Sequence, residues 1–125
     1  MPEVSVRKLS KKFNDVFAVD NVSFDVKKGE LVTLLGPSGC GKTTTLRCIG
    51  GLEKPDKGEI TLDGKLLTSI DKGIFIPPEK RQMGMVFQTY AVWPNMTVYD
   101  NVAYGMKIRK LPKDEIEKKI KKILE

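Results

Sequence analysis

The stretch GPSGCGKTTT, residues 36–45, has the residue types and spacing of a phosphate cradle. Gly36, four intervening residues, Gly41, Lys42 and Thr43 satisfy the pattern G-x-x-x-x-G-K-[ST]. A chain that wraps closely around phosphate oxygens needs positions without Cβ where it bends or approaches most tightly. Gly36, Gly39 and Gly41 supply those positions, and successive backbone N–H groups then form an anion-binding concavity. A helix opening near Lys42 adds unsatisfied N–H groups and the positive end of its dipole. In such a loop Lys42 reaches the terminal phosphates and the Thr43 hydroxyl ligates Mg²⁺. None of these residues performs chemistry alone. They position and neutralise.

The loop can work only between a strand and a helix, and its flanks have those patterns. ELVTLL (30–35) is a short apolar and β-branched run that predicts a buried parallel strand. KTTTLRCIGGL (42–52) predicts a helix with Leu46, Cys48 and Ile49 on one face and a stop at Gly50-Gly51. Upstream, Val4 and Val6 alternate, as do Val22, Phe24 and Val26, giving half-buried strands before a Lys27-Lys28-Gly29 turn. GEITLDGK (58–65) predicts a strand ending at an Asp-Gly turn, and residues 66–81, with Pro77-Pro78, read as an irregular connection. QMGMVFQ (82–88) is a further strand candidate. Thr97 to Asp100 has the form of a capping box opening a helix that carries Val98, Val102 and Met106. Ile116, Ile120, Ile123 and Leu124 keep helical spacing, with Pro112 suited to the first turn.

Composition narrows the function classes. The 125 residues are 40% hydrophobic and 30% charged, no apolar run reaches membrane-spanning length, and MPEVSVRKLSKKF lacks the apolar segment of a signal peptide. With no histidine and only Cys40 and Cys48, a zinc site or disulfide framework is not expected, and a reducing compartment is the simpler reading. The net charge of +6 is concentrated in the tail, where residues 107–125 hold eight basic and four acidic side chains. No aromatics interleave with those lysines, so they predict a solvated helix face rather than a nucleic-acid surface.

Two longer stretches, LGPSGCGKTTTLRCIGGLEKPDKGEI and PPEKRQMGMVFQTYAVWPNMTVYDNVAYGMKIRK, resemble the ATP-binding subunit of an ABC importer, and within that family the maltose/sugar-type transporter ATPases. The similarity covers essentially the whole chain. It implies an α/β P-loop NTPase with an incomplete RecA-like core, an ABC-type antiparallel β subdomain and the start of a helical subdomain. Residues 1–35 and 58–77 would be mainly β subdomain, 36–52 the phosphate loop and its helix, 82–88 a strand leading to a glutamine loop, and 89–125 the beginning of the helical subdomain.

The resemblance also implies roles. Phe13 would stack on adenine with Ala18 nearby, and Ser38, Gly39, Cys40, Gly41, Lys42, Thr43 and Thr44 would line the triphosphate. Gln88 would contact Mg²⁺ and the attacking water, making ATP and Mg²⁺ the expected cofactors. Residues 89–104, with Tyr90 and Trp93, would receive transmembrane permease subunits. The full-length subunit would form a homodimer, cytoplasmic and peripheral on the inner face of the membrane, with no nucleic acid as partner. Trp93-Pro94-Asn95 departs from the Tyr-Pro-His common in relatives, and Gly50 stands where Ala is usual. The larger departure is that no Leu-Ser-Gly-Gly-Gln signature, no apolar strand ending in Asp-Glu and no switch histidine occurs. The chain alone is therefore expected to bind Mg-ATP without efficient turnover, as part of a longer subunit. The alternatives are a non-catalytic nucleotide-binding module, a small P-loop GTPase or kinase, and a basic nucleic-acid binder.

Overall fold

Alternating valines in the first 27 residues pair as a long antiparallel hairpin. The computed structural model describes residues 2–37, 39 and 41–125. It divides into two units, residues 1–85 and residues 86–125.

In the first unit, β1 (Pro2–Phe13) and β2 (Val16–Lys27) are joined at Asn14 and Asp15, with Asn14 in the left-handed region. Val4 faces Val26 and Val6 faces Phe24, and bulges between Val6 and Leu9 shift the register farther along. On its other edge β1 pairs with β3 (Lys57–Leu62), which continues through β4 (Lys65–Ser69) to a short β5 (Ile74–Phe75). The sheet order is β2-β1-β3-β4-β5, antiparallel throughout. Asp63 and Gly64 both have positive φ, 49° and 78°, the backbone of a two-residue hairpin turn between β3 and β4.

Helix α1 (Lys42–Gly50) packs through Cys48 on a core of Val6, Leu9, Val19 and Ile60, with Ile49 half-buried beside it. A 3₁₀ turn at Pro78–Lys80 precedes the fully buried Arg81. The second unit is a helical hairpin. α2 (Val98–Ile108) and α3 (Lys113–Leu124) close around Ala103, Ile116 and Ile120, flanked by Val102, Met106 and Leu111.

Several expectations need correction. Residues 30–35 and 82–88 carry no strand pairing among the described residues, and Leu31, Leu35 and Val86 are 91%, 94% and 99% exposed. A buried parallel strand exists only between neighbours, and no described segment runs alongside either run. The supposed irregular connection 66–81 contains most of β4, all of β5 and a 3₁₀ turn. Leu46 is half exposed, whereas Cys48 and the half-buried Ile49 do face the core, joined there by the buried Thr45. Pro112 is the residue preceding α3, not part of its first turn. The lysines of α3 are exposed, as a solvated face requires.

Candidate functional site

Helix α1 begins where the loop ends, and two features leave its N-terminus available to an anion. Its N-cap is Gly41, which has no side chain to cap with, and its first turn holds no acidic residue. The Thr45 amide and hydroxyl both donate to the Gly41 carbonyl, at 2.9 and 2.8 Å, which fixes the first turn. The Lys42 ammonium donates to the Gly36 carbonyl, so its side chain folds back across the loop toward its first glycine. The Thr43 side chain is exposed and Thr44 is half-buried.

Glycine is obligatory at position 41. Its φ is 89°, and a Cβ there would lie 3.0 Å from the Ala18 carbonyl carbon and overlap the carbonyl oxygen. This contact brings Ala18 of β2 against the end of the phosphate loop. Gly39 also has a positive φ, 83°, but faces open space. Ser38 and Cys40 lie outside the described residues.

Phe13 ends β1 on the same hairpin as Ala18 and is 47% exposed, so it is not a core residue. The Lys11 ammonium lies 5.2 Å from its ring centroid. Phe17, also half exposed, is a second ring on this hairpin that sequence reasoning did not single out, with the Lys12 ammonium 5.2 Å away. Gln88 belongs to the second unit, where its side chain is exposed.

Arg81 was the residue sequence reasoning missed altogether. It is 1% exposed, and its guanidinium hydrogen-bonds to α1, β4 and the residue that follows β5. Nε donates to the Ile76 carbonyl at 2.7 Å and Nη2 to the Thr68 hydroxyl at 2.7 Å. Nη1 donates to the carbonyls of Cys48 and Ile49 at 3.2 and 3.1 Å. The last two are carbonyls at the C-terminal end of α1, where the helix dipole favours a cation. The guanidinium also lies 4.9 Å from the centroid of the Phe75 ring. Burial lowers its pKa from the ordinary value, since no carboxylate pairs with it among the described residues. Burial likewise pushes the Cys48 thiol up to about 11, leaving it a small apolar core group.

A cavity of about 820 Å³ lies elsewhere in the first unit, lined by Arg7, Asp20, Asp56, Lys57 and Asp71 among others. It contains none of the expected site residues. No cluster of three His, Cys, Asp or Glu that could hold a metal occurs among the described residues.

Comparison with known proteins places these features in a family. Residues 19–125 match the sequence model described as ABC transporter. The trehalose/maltose import ATP-binding protein MalK of Thermococcus litoralis is 53% identical, over 92% of this chain and 31% of its own length. The spermidine/putrescine import ATP-binding protein PotA of Clostridioides difficile is 47% identical, over 97% of this chain and 33% of its own. A solved dimeric ATP-binding cassette in a post-hydrolysis state, bound to ADP and Pi, superposes with a TM-score of 0.77 at 29% identity. That match covers 92% of this chain and 53% of the solved one. The chain thus spans about a third of the length of these curated relatives.

Proposed function

Because the chain belongs to the ABC transporter family, we propose that it is the Mg-ATP-binding portion of an importer's ATPase subunit. The observation that carries this reading is the uncapped N-terminus of α1, presented by a glycine loop with Lys42 folded across it. In this reading Lys42 neutralises the terminal phosphates, and the N–H groups from Ser38 to Thr44 cradle the chain of oxygens. Thr43 and Gln88 hold Mg²⁺, with Gln88 also orienting the attacking water. Phe13 stacks on the adenine and Ala18 borders it.

The full subunit works as a homodimer beneath transmembrane permease subunits, on the inner face of the membrane. The imported solute is a small molecule. A sugar is supported by 53% identity to the trehalose/maltose relative, against 43–50% to the polyamine relatives.

Binding and turnover are separable. Phosphoryl transfer needs a positioned water and a base or equivalent charge around the phosphate, beyond what Lys42, Thr43 and Gln88 provide. The test is titration with a fluorescent ATP analogue, competition by GTP, and release of labelled phosphate. Mg²⁺-dependent binding is expected to weaken by roughly 10- to 150-fold in Lys42→Ala, the cost of one charge-assisted hydrogen bond at about 1.5–3 kcal/mol. These 125 residues alone are expected to release no phosphate above background. Lys42-dependent turnover by them, or equal affinity in the variant, contradicts the proposal.

A further inference from the structure

We infer that Asn101 is a positioning residue that holds the Trp93 ring in place on the second unit. Asn101 sits in the first turn of α2, and its amide spans the loop 93–97. Its Oδ1 accepts from the Trp93 amide at 2.9 Å. Its Nδ2 donates to the carbonyls of Thr97 at 2.8 Å, Trp93 at 3.2 Å and Met96 at 3.4 Å. Turning the amide over would set an NH₂ against the Trp93 N–H and an oxygen against three carbonyls, so only one orientation satisfies the loop.

Both polar groups of the Trp93 backbone are therefore held by one side chain. The indole is held by a second residue of the same helix. Tyr104 follows Asn101 at the spacing that puts two side chains on one face, and its ring centroid lies 4.7 Å from that of Trp93, tilted by 48°. Despite these contacts Trp93 and Tyr104 remain 44% and 40% exposed. An aromatic pair that is rigid yet solvent-facing has already lost the side-chain freedom that binding would otherwise remove. This matters for the permease contact on the reading given above, where a fixed aromatic would act as an anchor. The positioning itself does not depend on that reading.

Trp93 is the sole tryptophan of the 125 residues, so its emission reports on this loop alone. The experiment compares acrylamide quenching, emission maximum and anisotropy in the full chain and in Asn101→Ala, Asn101→Asp and Thr97→Ala. Asn101→Asp keeps the acceptor but opposes a carboxylate to three carbonyls. Thr97→Ala removes the N-cap of α2 and leaves the Asn101 amide untouched. Loss of one to two net hydrogen bonds should shift the closed-to-open ratio of the loop by about 5- to 30-fold. Both Asn101 variants are then expected to show red-shifted emission, greater quenching and lower anisotropy at unchanged helix content, with a smaller change in Thr97→Ala, which loosens the first turn but keeps the Asn101 amide. The inference is overturned if the Asn101 variants match wild type, or if Thr97→Ala changes the emission as much as they do. Co-purification with the cognate permease is the separate arm. Emission changes without loss of assembly would uphold the positioning role and sink the permease reading.

Discussion

Replacing Arg81 by Met is expected to loosen the phosphate-loop helix from its far end. The substitution keeps most of the volume and removes every donor. The Cys48 carbonyl would not be orphaned, because it also accepts from the Gly51 amide at 3.3 Å. The Ile49 and Ile76 carbonyls and the buried Thr68 hydroxyl lose the guanidinium that reaches them at 3.1, 2.7 and 2.7 Å. An unsatisfied buried acceptor costs about 1–3 kcal/mol and the half-buried carbonyls somewhat less, so the three give roughly 2–6 kcal/mol. Releasing a desolvated cation offsets part of this, leaving a net loss of about 2–4 kcal/mol. With a urea slope of about 1–3 kcal/mol per M, the unfolding midpoint should fall by on the order of 1–3 M.

The assay is urea unfolding followed by far-UV circular dichroism, with amide hydrogen exchange read at residues 47–52. Gly51 provides an independent check. A Cβ there would lie 2.5 Å from Arg81 Nε, at a backbone φ of 83°. Gly51→Ala should therefore be costly beside Arg81 and cheaper in the Arg81→Met background, where the clash with the fixed guanidinium is gone and the backbone strain remains. An unchanged midpoint in Arg81→Met, or strict additivity of the two changes, would refute this account of the buried guanidinium.

Three further outcomes are expected. Gly41→Ala, with strained φ and a clash on the Ala18 carbonyl, should cost about 1–3 kcal/mol and abolish measurable nucleotide binding, whereas Gly39→Ala, in open space, should cost less; thermal melts and ATP-analogue titration compare them. For Cys48, burial raises the thiol from 9.0 to about 11, so the folded state holds its proton more tightly than the unfolded one. That contribution is complete below pH 9 and is lost as pH rises from 9 to about 11, roughly 2–3 kcal/mol at most, and Cys48→Ala should flatten this part of the stability profile. Thr97→Ala removes the cap in which Oγ1 accepts from the Asp100 amide at 3.0 Å; α2 should lose about 0.5–2 kcal/mol, visible as faster amide exchange in its first turn.

Local patterns in the sequence were readable where the structure is local. The alternating valines of β1 and β2, the Asp63-Gly64 turn, the Thr97 cap and the Gly51 stop each act within a few residues. β4 was not legible because Leu67, Thr68 and Ser69 are all buried, so the inside-outside alternation that marks a half-exposed strand is missing. Residues 30–35 fail in the opposite sense: their apolar composition is that of a strand, but strand identity depends on neighbours that no local pattern supplies. Arg81 has the same difficulty. Its partners lie on α1, β4 and the segment after β5, and an arginine between a 3₁₀ turn and a polar residue looks like any solvated charge.

What emerges is a helix held from both ends. At its N-terminus Gly41 lies against the Ala18 backbone, and at its C-terminus Arg81 gathers the last carbonyls beside Gly51. Between them Cys48 seats the helix on the sheet. All of these contacts fall within residues 1–85, so the geometry that presents N–H groups to a phosphate is built by the first unit itself. The N-terminal contact is backbone against backbone, and shortening a side chain cannot relieve or weaken it. The C-terminal contact is a single side chain. Substitutions at Arg81 should therefore alter how firmly α1 is anchored while leaving the loop's shape at Gly41 intact, and a partial loss of nucleotide affinity in Arg81→Lys, with the sensitivity to Gly41→Ala retained, would separate anchoring from shape.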